Sequence, residues 1–182
     1  MSTRGIWGLR KDNQDKITYQ HFDSYPTGLG NIIKKFIMKH DIEELKIIFD
    51  KIILVKKDSV PSNKQIKECS KFFNSDVSKH TTEDWYALLR DSQGNPEVYV
   101  KDLKYMIDNR DFIKDSLFCE WGYIINLDTK CLEIYEGGKE TPQKNRYKYG
   151  PDERGYYNCG LIKNILFSEL KNFSMKKLQG EL

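Results

Sequence analysis

The sequence predicts a single α+β domain whose mainly antiparallel sheet is drawn from an N-terminal hairpin and from C-terminal strands, with a helical segment between them. Three observations predict it. Residues 4–22 and 118–167 are rich in β-branched and aromatic side chains and are broken by short polar turns. Residues 30–108 carry apolar positions at helical spacing behind capping residues. A chain of 182 residues is also one domain of ordinary size, large enough to bury a core without disulfides or a structural metal. Strands at both ends of a helical middle place the two ends in one sheet.

The elements follow in order. Segments 4–10 and 16–22 read as a hairpin across the polar residues 11–15, with a pairing sum near 26, so that Ser2 and Thr3 face Asp23 and Ser24 and Arg4 lies near Phe22. Gly5 and Gly8 mark a bulge or a close approach to the backbone. Pro26, Gly28 and Gly30 enforce a loop. A first helix spans Asn31 to His40 on Ile32, Ile33, Phe36 and Ile37, and a second runs from Ile42 to Val55 on Leu45, Ile48, Phe49, Ile52 and Ile53. Ser62 caps a third, Thr82 precedes a fourth, and Asn95-Pro96 opens a fifth whose inward set includes Val98, Leu103, Tyr105, Met106 and Ile107. Then Phe118 to Asn126 and Cys131 to Tyr135 form a second hairpin, residues 137–155 read as a long exposed loop, and residues 156–167 supply a final strand.

Charge and cysteine usage exclude several classes. With 30 Lys and Arg against 27 Asp and Glu, the net charge of +3 is neither the basic surplus of a dedicated nucleic-acid binder nor an acidic mimic of one. What remains for nucleic acid is the loop 139–157, where Lys144, Arg146, Lys148 and Arg154 alternate with tyrosines. That composition suits a protein interface equally. Cys69, Cys119, Cys131 and Cys159 lack zinc spacing, so neither a metal nor a cofactor is expected and the thiols read as buried structural groups. The Ile52–Val55 apolar run is too short to span a bilayer, and no secretory signal pattern is present. The expectation is a cytoplasmic protein with no membrane partner.

Candidate chemistry is densest in the first thirty residues. Ser2, Thr3, Arg4, Tyr19, His21, Asp23, Ser24 and Tyr25 crowd there and end in Gly28 and Gly30, where a glycine loop feeding a helix can offer N–H groups to an anion. Asp23, two residues from His21, can orient the imidazole or pair with Arg4. A second candidate is an aromatic ledge formed by Glu120 and Trp121 with Tyr135 across the hairpin.

The sequence Arg4-Gly5, followed by Tyr19-x-His21-x-Asp23-Ser24-Tyr25-Pro26-x-Gly28-Leu29-Gly30 with Glu120-Trp121 and Tyr135 downstream, resembles a family of similar length found in bacteria, bacteriophages and some fungi. The resemblance runs the whole chain and implies no activity of its own. The N-terminus also resembles, more weakly, the N-terminal nucleophile hydrolases of the choloylglycine and penicillin acylase kind. That resemblance implies that loss of Met1 exposes Ser2 as the nucleophile, with its own α-amine as base, Asp23 holding the amine and His21 or Arg4 serving substrate or oxyanion. Gln20 stands where the choloylglycine type has Arg, and Asn126 and Asn158 both qualify as its later Asn. The expected function is thus an amide hydrolase acting on a small molecule or a peptide. The alternative is a non-catalytic phage or mobile-element protein that binds and inhibits a host defence protein.

Overall fold

The computed structural model describes residues 3–179. Asp12 and Asn13 both take positive φ (51° and 60°), giving the two-residue turn whose twist suits a hairpin. The Asp128 carboxylate accepts from both turn N–H groups, at 2.8 and 3.1 Å. The turn joins β1 (Gly5–Lys11) to β2 (Gln14–Gln20) with Gly5 opposite Gln20. The register is therefore one residue away from the expected sum and brings His21, not Phe22, alongside Arg4.

Downstream, α1 (Asn31–Lys39) and α2 (Ile42–Lys51) form as the periodicity predicts, the second behind an Asp41–Glu44 capping box. The second helix stops earlier than expected. Residues Ile53–Val55 form strand β3, because a short apolar run fits a buried strand as well as a helix face. Ser62 caps α3 (Asn63–Cys69) as expected. The fourth helix is a single turn, α4 (Trp85–Leu88), capped by Asp84 rather than Thr82. The fifth, α5 (Val98–Lys101), is equally short, and Tyr105–Ile107 belongs to strand β4, not to its inward face. β4 lies parallel to β3 in a separate two-stranded sheet. The C-terminal strands are β5 (Trp121–Asn126), β6 (Cys131–Glu136) and β7 (Gly160–Leu166), and α6 (Lys176–Gln179) closes the described chain.

The main sheet has the order β2-β1-β5-β6-β7, so the two ends of the chain share it. All neighbours are antiparallel except β1 and β5, where Gly5 lies level with Trp121. A Cβ on Gly5 would fall 2.3 Å from the Trp121 carbonyl oxygen, and one on Gly8 2.2 Å from that of Lys16, which makes both glycines points of close backbone approach. Strand alternation sends Trp7, Leu9, Tyr123 and Ile125 to the helix-covered face with Ile33, Phe36 and Leu45. Ile6, Ile17, Ile124 and Tyr135 go to the opposite face, beneath Ile113, Cys119, Tyr147 and Cys159.

The loop 137–155 departs from expectation. Tyr147 is buried, and Arg146 donates to Tyr135 Oη and Tyr147 Oη (3.0 and 2.8 Å) and pairs with Glu133 at 2.6 Å. Lys144, Lys148 and Tyr149 stay exposed. The loop's middle is therefore fastened to the sheet. All four cysteines are buried as free thiols. No helix among the described residues is long and apolar enough to cross a membrane.

Candidate ligand cavity

β2 is an edge strand, and what covers its free edge builds a cavity. The Asn109 N–H donates to the Ile17 carbonyl at 2.9 Å, and the Asn109 Oδ1 accepts from the Tyr19 N–H at 3.2 Å. Further along, Gln93 Oε1 accepts from the His21 N–H at 3.3 Å. These two amides tie the edge to the segments that follow β4 and α4. Between them a cavity of about 350 Å³ remains, within the size range of small-molecule sites.

Its walls are aromatic. Trp7 and Tyr99 meet edge to face at 5.7 Å, Tyr19 and Phe112 likewise at 5.1 Å, and Tyr86 lies 6.3 Å from Tyr19. Its polar groups are mostly donors. Asn109 and Gln93 turn their carbonyl oxygens to protein N–H groups, which leaves both NH₂ ends without a partner among the described residues. Trp7 is 1% exposed, and its indole N–H finds no acceptor. Lys57 adds a cation at the rim, while no Asp or Glu lines the cavity.

His21 belongs to this wall. Its Nδ1 lies 2.7 Å from Tyr19 Oη. Burial, joined by the charges of Arg90 and Arg4, holds the His21 pKa below its ordinary value. Burial, with the neighbouring Tyr86, pushes Tyr19 up to about 12. A neutral imidazole nitrogen accepts better than a phenol oxygen, so Tyr19 donates and the proton of His21 sits on Nε2. His21 thereby presents one more donor.

Apart from Arg4, which the register sets alongside His21, the other expected site residues do not gather around it. Ser2 lies outside the described residues. Arg4 stacks over Phe118 at 5.1 Å and donates its backbone N–H to Glu120 Oε1 at 3.0 Å. Asp23 is exposed at a positive φ of 53° and forms no ion pair with Arg4 and no hydrogen bond with His21. The expected anion cradle is closed, because the Gly28, Leu29 and Gly30 N–H groups donate to the carbonyls of Tyr25, Asp23 and Tyr25. Nor is there room there. A Cβ on Gly28 would meet the Asp23 carbonyl at 2.3 Å, and one on Gly30 the Tyr123 ring at 2.9 Å. Ser24 is fully buried, its carbonyl accepting from Tyr123 Oη at 2.9 Å, and Tyr25 packs on the main core. The ledge of Glu120, Trp121 and Tyr135 divides across the sheet, with Trp121 on the helix-covered face and Tyr135 on the other.

No protein-family model, curated protein or solved structure matches this chain. The site therefore stands on its own geometry. Of the residues that line it, Tyr19 and His21 were singled out from the sequence. Trp7 and Tyr86 carried a faint signal, a Trp flanked by glycines and a Tyr within the Trp85-Tyr86 pair, whereas Gln93, Tyr99, Asn109 and Phe112 carried none. Among the described residues no group of three or more His, Cys, Asp or Glu is placed to hold a metal ion.

Proposed function

We propose that the protein binds a flat, acceptor-rich small molecule in the cavity at the edge of β2. One observation carries this reading: an aromatic cavity whose lining residues Gln93 and Asn109 have spent their carbonyl oxygens on the protein and keep NH₂ groups without a partner among the described residues. A buried donor left unbonded costs about 1–3 kcal/mol, which a ligand oxygen or ring nitrogen would offset. The NH₂ groups of Gln93 and Asn109 and the Nε2–H of His21 favour the same partner, and the rings of Tyr19 and Phe112 favour a planar one.

The amide-hydrolase reading draws support from one contact, the Ser24 N–H donating to the Thr3 carbonyl at 3.1 Å, which brings the chain start beside residues 23 and 24. Asp23 pairs with neither Arg4 nor His21, which favours a binding role for His21. A protein-inhibitor reading through residues 137–155 would rest on exposed side chains such as Lys144, Lys148 and Tyr149, on either side of the buried Tyr147.

The test follows the indole protons. The chain has three tryptophans, so a ¹⁵N-labelled sample gives few indole resonances, and a Trp7→Phe variant assigns the one that matters. Oxo-substituted heterocycles should shift the Trp7 indole resonance downfield and saturably. A panel of such compounds that leaves it unmoved overturns the reading. Labelling of Ser2 by an amide-mimicking electrophile would instead support the hydrolase.

A further inference from the structure

Arg90 stands beside the cavity, and its guanidinium is held in a fixed pose. Nη1 donates to Tyr86 Oη at 3.0 Å and to Gln93 Oε1 at 2.7 Å, and both of these residues line the cavity. The guanidinium carbon lies 5.0 Å from the Phe22 ring centre and 5.5 Å from that of Tyr86. Both protons of Nη1 are thus occupied, while Nε and Nη2 make no hydrogen bond among the described residues. That free edge is the one that grips an oxyanion with two parallel N–H bonds.

The arginines fall into two groups. Arg10, Arg110, Arg146 and Arg154 each pair with a carboxylate. Arg4 and Arg90 pair with none among the described residues, and both act electrostatically on His21. Lys57, which pairs with no carboxylate among the described residues, lines the same cavity. A cation locked by stacking and by its own hydrogen bonds, with no acid opposite, is arranged for an anion from outside.

We infer that the ligand is a mononucleotide, its base among the rings of Trp7, Tyr19 and Phe112 with carbonyl and ring-nitrogen acceptors toward the free donors, and its phosphate on the Nε–Nη2 edge of Arg90. Three features separate this from a simple aromatic acid. The cavity of about 350 Å³ has room for more than one ring. Its donors are several, as a base with several acceptors requires. The hydroxyl of Thr18 gives the wall a polar group suited to a sugar, whereas that of Ser92 donates to the Leu89 carbonyl. The inference rests on the cavity reading and adds the anionic group to it.

The experiment titrates wild type, Arg90→Gln and Arg90→Lys with guanosine and uridine monophosphates, the matching nucleosides, benzoate-type acids and inorganic phosphate. It follows the Trp7 indole resonance and the heat of binding. Monophosphates should bind at least tenfold more tightly than their nucleosides. Arg90→Gln should abolish that advantage, and Arg90→Lys should keep only part of it, since it retains the charge and loses the two-pronged edge; the monophosphate-to-nucleoside ratio within each variant is the readout, because Arg90 also holds Tyr86 and Gln93 in the wall. Thermal melts of both variants establish that they are folded. Nucleosides binding as tightly as nucleotides, an advantage that survives Arg90→Gln, or benzoate-type acids outcompeting nucleotides would each overturn the inference. In those cases a moving Trp7 resonance still sustains the cavity reading. A Trp7 resonance that no compound moves overturns both.

Discussion

Two polar clusters built from the same kinds of side chain flank the sheet, and they differ in how their hydrogen bonds are completed. On the loop-covered face, Glu133 is 4% exposed and accepts from Asn126 Nδ2 at 2.7 Å, from Tyr135 Oη at 2.9 Å and from Arg146 at 2.6 Å. Arg146 is further held by Tyr147 and lies 3.5 Å from Asp15. Each charged group there finds a partner within the protein. Around the cavity, Tyr, Arg, Gln and Asn side chains are held just as firmly but leave the indole, two amide NH₂ groups and one guanidinium edge unpaired. A completed network fastens a loop to a sheet; an incomplete one leaves donors over for the ligand proposed above.

The sharpest way to break this comparison is Glu133→Gln. It leaves Arg146 without its closest counter-charge and should cost about 2 kcal/mol in urea unfolding, less than the full penalty of a buried pair because Arg146 is part-exposed and keeps Asp15 at 3.5 Å. A loss under about 1 kcal/mol would show that the cluster is not the fastener it looks like. Trp7→Phe should do the reverse. Its stability cost should stay near 1 kcal/mol, for the smaller ring and the relief of an unbonded donor partly cancel, while affinity for any cavity ligand falls about tenfold.

Ser24→Ala sharpens the contrast by sign. Its buried hydroxyl has no partner yet lines no cavity, so the variant should be more stable by about 1 kcal/mol and leave ligand binding unchanged. The smallest expected effect concerns pH. Because the folded-state pKa of His21 is depressed, the unfolded chain takes up the proton first, and stability should decline as pH falls below about 6.5 until the folded pKa is reached. His21→Gln should flatten that part of a melting-temperature profile between pH 7.5 and pH 5. A profile equally steep in the variant would assign the dependence elsewhere.

The joining of the two chain ends was legible because β-branched and aromatic runs with turn residues between them are a local signal, and the long amphipathic helices were legible for the same reason. Ile53–Val55 and Tyr105–Ile107 were misread because three-residue strands are shorter than either period needs to declare itself, and each finds its identity only in the other. The first thirty residues were correctly seen as dense in polar groups but wrongly assembled. A turn of two residues rather than five shifted the register by one, and the glycine loop closed its N–H groups upon itself. The cavity drew residues from positions 7 to 112, and only tertiary contact brings those together. The deciding fact, that Gln93 and Asn109 expend their oxygens on backbone N–H groups, has no counterpart in composition.

The parallel contact between β1 and β5 governs how this chain can be made. Arg4 and Glu120, at the mouth of that contact, are 116 residues apart, and closing a loop of that length costs about 4 kcal/mol of chain entropy before any packing is gained. During vectorial synthesis the hairpin that carries Trp7 and Leu9 leaves the ribosome early and has no sheet neighbour on its second side until residues 121–126 emerge. Its β1 edge and apolar face are then open to a second nascent chain. Deleting β5 should therefore do more than remove a strand: it should convert the first hairpin into a nucleus for aggregation.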